Sequence, residues 1–311
     1  MNKFTKIGVS ALAGSLMAVS ANAVEMSVSG GASITFGDYG ADITNNAWSQ
    51  GDGLTFSASG ETDGGLTVSS SYVLDNGALD DYSVSISTDS MGTITFHAMD
   101  GSSALGAVDD VMPTAYEEPW FGVTSPSKID GTAGDGLFQY TSPSVGGATI
   151  TATYSQADST IIESQTSYAI AYSPEMVDGL TVGYAVQDDT ATGVATSAKD
   201  ESTMYAKYTF GSITAGYQVS ESDNATASED QESTGMAISY AISDEMSISY
   251  GTHEVETPND SADADQEAML LSASYTSGGM SISASAGSVD NVANSATADK
   301  DTYEISMSFA F

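Results

Sequence analysis

Apolar residues alternate with small, mostly hydroxylic ones again and again along this chain, and few folds accept that pattern. Met236, Ile238, Tyr240 and Ile242 alternate with Ala237, Ser239 and Ala241. Met246, Ile248 and Tyr250 alternate with Ser247 and Ser249, and Met280 and Ile282 with Ser281 and Ser283. A period of two sends successive side chains to opposite faces of a strand, so each segment predicts one apolar and one small polar face. A soluble β-sandwich clothes its outer face in lysine, glutamate and arginine. Serine, threonine, glycine and alanine suit a polar interior wall instead.

Such segments predict strands at 24–36, 53–61, 65–74, 80–88, 91–97, 136–142, 147–157 and 165–173. Eight more follow at 179–188, 202–210, 212–220, 232–242, 245–254, 267–276, 280–288 and 301–311. Sixteen is even, as bacterial single-chain barrels require, and strands of about 9 to 11 residues cross an apolar layer when tilted. Connections after odd strands are long and acidic, as in 37–52, 189–201, 221–231, 255–266 and 289–300. Those after even strands are tight, as in Ser277-Gly278-Gly279 and Phe210-Gly211-Ser212. Hydrocarbon offers a sheet edge no hydrogen-bond partner, so the first strand must pair with the last. The expected fold is all-β: a 16-stranded antiparallel transmembrane β-barrel.

The N-terminus agrees. Lys3 and Lys6 precede an apolar run from Ile7 to Val19, and Ala21-Asn22-Ala23 has the small-x-small form of a signal-peptidase site. Residues 1–23 thus read as a signal peptide, leaving 24–311 as the barrel. The run is too short to anchor as a helix, and no later one approaches the roughly 20 residues a spanning helix needs. Beyond the leader, Lys128, Lys199, Lys207 and Lys300 face all 42 carboxylates, with no arginine and no cysteine. That balance repels nucleic acid and lacks the bidentate anion clamp, so cations are the natural visitors. His97 and His253 are the only histidines, and no Gly-x-Ser-x-Gly elbow or zinc-ligand cluster occurs. An enzyme is not expected.

The mature start Val24-Glu25-Met26-Ser27-Val28-Ser29-Gly30 is followed by Leu54-Thr55-Phe56-Ser57-Ala58-Ser59-Gly60-Glu61-Thr62-Asp63-Gly64-Gly65-Leu66 and Met91-Gly92-Thr93-Ile94-Thr95-Phe96. These segments resemble the opening strands of alphaproteobacterial-type general porins, most strongly over 24–125, and the terminal Phe311 resembles the end signal of outer-membrane proteins. The resemblance implies a barrel in the Gram-negative outer membrane, usually a homotrimer among lipid and lipopolysaccharide. Its third external loop would fold into the lumen as a constriction, over a channel for passive diffusion of small hydrophilic solutes and ions. A substrate-specific channel and a structural or adhesive barrel with acidic loops are the alternatives.

The sequence offers such a loop at 98–135, the longest interval without alternation, with Pro113, Pro119, Pro126, Trp120 and Phe121. Asp109, Asp110, Glu117 and Glu118 are the candidates for the acidic side of the constriction. The resemblance also implies basic side chains on the opposite wall, and here the chain departs from it. Inward positions of the second to fourth strands read Thr55, Ser57, Ser59, Thr67, Ser69, Ser71, Ser83, Ser85 and Ser87. Of the pore wall, Thr55, Ser57, Ser69 and Ser85 are candidates, with His97 at the mouth of the loop. Acids without facing bases concentrate cations. Lys207 points inward only near a short turn. No cofactor is expected, although acidic loops such as Asp260, Asp263, Asp265 and Glu267 offer oxygens to Ca²⁺ or Mg²⁺ without a full calcium-loop pattern.

Overall fold

A computed structural model describes residues 24–39, 47–123, 129, 133–156, 164–190, 199–224, 230–257 and 264–311. The expected leader lies outside them. The chain forms β1 (Glu25–Asp38), β2 (Trp48–Glu61), β3 (Thr67–Asp75), β4 (Ala78–Thr88) and β5 (Gly92–Met99). A separate two-stranded sheet follows, β6 (Gly101–Ser102) with β7 (Ala133–Gly134). Next come β8 (Leu137–Thr141), β9 (Ala148–Ser155), β10 (Ser164–Tyr172), β11 (Leu180–Thr190), β12 (Lys199–Phe210) and β13 (Ile213–Asn224). The last are β14 (Gln231–Ala241), β15 (Met246–Glu256), β16 (Gln266–Ser277), β17 (Met280–Asp290) and β18 (Lys300–Ala310). All but β6 and β7 close into one antiparallel barrel of sixteen strands. No helix among the described residues is long and apolar enough to cross a membrane.

The expected pairing of first and last strands is the seam. Gly31 lies opposite Ala310, Ile34 opposite Met307 and Phe36 opposite Ile305. The terminal residue joins it, with Gly30 N donating to Phe311 O at 2.7 Å and Phe311 N to Gly30 O at 2.9 Å.

All sixteen expected segments are strands. The largest shift is in β2, which begins at Trp48 and shortens the expected 37–52 connection. Gly51 and Gly53 interrupt the apolar signal there, yet Trp48 lies opposite Phe36 and their rings meet at 5.1 Å. Between β3 and β4, Asn76 and Gly77 both take positive φ, 47° and 80°, the geometry of a tight two-residue hairpin turn.

The barrel is inverted relative to a soluble protein. Ile238, Tyr250 and Leu271 are 48%, 46% and 57% exposed, whereas Ser249 and Ser272 are 5% and 2% exposed. Register carries the polar face around the wall: Ser59, Ser69, Ser85, Thr95, Gln139, Thr153, Ser167 and Gln187 each lie opposite the next. Leu270 is one of several apolar residues on this inner face, with Leu137, Val255 and Val289. It faces inward and is buried, between the inward glycines Gly251 and Gly287, while Met269 and Leu271 point out.

Two short turns need glycine for space as well as for φ. At Gly179 φ is +80° and a Cβ would stand 2.2 Å from the Thr209 carbonyl oxygen; at Gly147 φ is +87° and the Ser173 carbonyl is equally close. A β-branched residue there adds roughly 1–2 kcal/mol of left-handed strain to the clash. Gly179→Val should therefore lower the temperature at which the folded electrophoretic form converts to the unfolded one. A wild-type conversion temperature would contradict this close approach.

Candidate functional site

The expected loop begins after β5 and ends before β8, and Ser103 to Val123 is its long described stretch. An irregular backbone must find partners for its amides. This one finds them on inward side chains of strands far away in sequence. Ala104 N donates to Ser167 Oγ of β10 at 2.6 Å and to Thr153 Oγ1 of β9 at 3.2 Å. Gln218 of β13 donates through Nε2 to the carbonyls of Val108 and Asp109, both at 2.8 Å, and its Oε1 accepts from Val111 N at 3.3 Å. Ala115 N donates to Ser249 Oγ of β15 at 2.8 Å and Tyr116 N to Ser272 Oγ of β16 at 3.1 Å. The Tyr116 hydroxyl donates to Glu304 Oε1 of β18.

Apolar footings reinforce these bonds. Ala104 and Leu105 are fully buried with Ile129 against Ala169 and Ala185, while Trp120 and Val123 pack on Ala268, Val289 and Val292. The Trp120 ring lies 4.3 Å from that of His253. Small wall residues make the room. A Cβ on Gly216 would come within 2.6 Å of Pro113 Cδ.

The four loop acids fall into two groups. Asp109 and Asp110 line a cavity of about 20 Å³ with Met112, Trp120, Gln218 and His253, space for about one water. Glu117 instead neighbours Glu118 and Glu304. Burial first, then the charges of Glu118 and Glu304, push the Glu117 carboxyl from 4.5 up to about 7, against a hydrogen bond with Tyr116 that lowers it. Tyr39, just past β1, donates to Glu304 Oε2 at 2.5 Å and meets the Phe121 ring edge-on at 5.3 Å.

Across the barrel the wall is hydroxylic. Ser57, Ser69 and Ser85 line a cavity of about 570 Å³ together with Ser27, Ser59, Ser71 and Ser83. Ser85 Oγ and Thr95 Oγ1 are 2.8 Å apart, and Thr55 occupies the next inward position of β2, opposite Val73. His97 Nε2 lies 3.0 Å from Gln139 Oε1, and Gly101, at the start of the loop, packs on its ring. No lysine or arginine lies on β1–β5 or β8–β11. Lys199 pairs with the buried Glu201 at 2.5 Å, and Lys207 lies between Thr181 and Gly216 near the short turns.

Two acids escaped the sequence reading. Glu304 occupies an inward position of β18, where attention falls on the apolar Tyr303, Ile305 and Met307. Asp81 sits within Coulombic reach of His97, beside a register shift at Tyr82/Ser83. Of the expected cation-binding acids, Asp260 and Asp263 lie outside the described residues. Asp265 instead joins Glu254 and Glu256, whose carboxylate oxygens lie within 4.8 Å of one another. Three carboxylates are hard oxygen donors, yet they fall short of the six to eight ligands Ca²⁺ takes.

The sequence matches the Gram-negative porin family over residues 8–311. The chain belongs to that family. It is an outer-membrane porin channel. Solved structures share the fold at low identity. An anion-selective porin from Comamonas acidovorans is 14% identical with a TM-score of 0.68, covering 93% of this chain and 100% of that one. A doubly substituted Rh. blastica porin is 16% identical with a TM-score of 0.64, covering 92% and 100%. In vitro folded OmpT of Vibrio cholerae, in a trimer form, is 12% identical with a TM-score of 0.68, covering 93% and 100%. No curated protein matches in sequence.

The Glu117 carboxyl fixes a pH dependence. Its folded value lies above its unfolded one, so between 4.5 and about 7 the docked loop binds a proton that an undocked loop releases. Docking should lose this stabilisation as pH rises from 4.5 to about 7 and change no further through this group above that. Amide exchange at Ala115 and Tyr116, corrected for intrinsic rates, should be slower at pH 5.5 than at pH 8, and Glu117→Gln should erase the difference. A difference that survives in Glu117→Gln would assign the proton elsewhere.

Proposed function

We propose that this porin is a passive, non-enzymatic diffusion pore for small hydrophilic solutes, with a preference for cations. Residues 98–135 form its constriction. Asp109, Asp110, Glu117 and Glu118 supply its acidic side, while Ser57, Ser69, Ser85, Thr55 and His97 belong to the facing wall. The observation that carries this reading is the asymmetry of charge: an acidic loop is bonded along one arc of the wall, and the opposite arc is lined mainly by hydroxyls and carries no lysine or arginine. Like charges at a narrow point enrich counter-ions and deter co-ions. The Comamonas relative is described as anion-selective, so the shared fold accommodates other preferences and the lining residues decide.

Residues 1–23 are the export signal and 24–311 the barrel. The apolar outer face contacts lipid, including lipopolysaccharide, and the working unit is a homotrimer, the form in which the Vibrio cholerae relative is described. No cofactor is needed for diffusion through a lined pore.

Only charges near the narrowest point matter, since the Debye length is about 8 Å at physiological salt. In planar bilayers under a KCl gradient at pH 8, the reversal potential should report cation preference. Glu117→Gln/Glu118→Gln should move it toward that of a neutral pore. An anion-selective wild type would overturn the cation preference, and an unchanged double mutant would remove these two residues from the filter.

A further inference from the structure

Glu304 is 4% exposed, on the last strand, opposite Gly37 across the seam and Ser285 on β17. A buried carboxylate is costly unless its oxygens are satisfied. Among the described residues its donors are two phenols, one for each oxygen, arriving from separate parts of the chain. Both phenols are pushed above the ordinary tyrosine range, by burial first and then by the hydrogen bond to Glu304, so they remain donors at physiological pH. Tyr116 belongs to the loop and Tyr39 to the seam, and Glu304 ties one to the other.

We propose that Glu304 is the positioning residue of the channel: it holds the loop against the seam through Tyr116 and Tyr39, and its charge beside Glu117 makes conductance respond to pH. This rests on reading the loop as the constriction. The groups facing Glu117 are Glu118 and Tyr116 on the loop, Tyr39 beyond β1 and Glu304 on β18, and none of them is a cation. With Glu117 ionised, two carboxylates adjoin and repel, which pushes the loop off the wall. With Glu117 protonated, the repulsion ends and the loop seats.

Single-channel recording of the full-length, exported protein between pH 5 and 8.5 tests this, with folded electrophoretic mobility as the control for assembly. Glu304→Gln should move the midpoint of conductance against pH downward by about half a unit to one unit, because Glu117 loses a like-charged neighbour. Tyr116→Phe should raise open-channel current noise several-fold, because the loop loses its bond to Glu304 at the seam. Wild-type midpoint and noise in assembled variants would overturn the proposal. Should Glu304→Gln fail to assemble, Tyr116→Phe decides alone, since it alters no strand, and wild-type noise in it overturns the proposal. An anion-selective wild type would instead defeat the cation preference and leave these two readouts unaffected.

Discussion

A backbone amide in hydrocarbon has no solvent partner, and each unsatisfied group costs several kcal/mol. A sheet in lipid must therefore have no edge, and the pairing of β1 with β18 meets that demand. The bonds between Gly30 and Phe311 extend it to the last residue. Once the sheet closes, its two faces meet different solvents, and the alternation of apolar and hydroxylic residues is the chemical record of that difference. The aromatic pair Phe36 and Trp48 shows the same logic locally, holding strands where the glycines of β2 contribute little.

The inner face does two jobs with one set of residues. Along β9, β10, β13, β15 and β16, hydroxyl and amide side chains are hydrogen-bond partners for an irregular segment whose own backbone forms no ladder. Alanines and glycines beside them leave space for Leu105 and Pro113. On β1 to β4 the hydroxyls line open volume. Small inward residues thus leave a passage on one arc and seat a loop on the other.

Strand number, parity and the exceptional loop were legible in the sequence because a period of two is a local property. The start of β2 was not, because Gly51 and Gly53 carry no apolar signal and only the facing Phe36 reveals the pairing. The division of the loop acids was hidden for another reason. Asp109 and Glu117 look alike in sequence, and what separates them is the strand each meets across the barrel. Glu304 was invisible as a partner of Tyr116 because the two are 188 positions apart. Parity could have placed it inside, but not beneath this loop.

That separation bears on how the barrel is made. The loop is synthesised before most of the strands that hold it, and its ties to Ser249, Ser272 and Glu304 span 134, 156 and 188 residues. Closing such distances is entropically unfavourable until the intervening chain is ordered. The loop therefore cannot take its seat until β15, β16 and β18 stand in the wall. Its docking is a late event of assembly, and the strand that seals the barrel also brings the carboxylate to which Tyr116 donates.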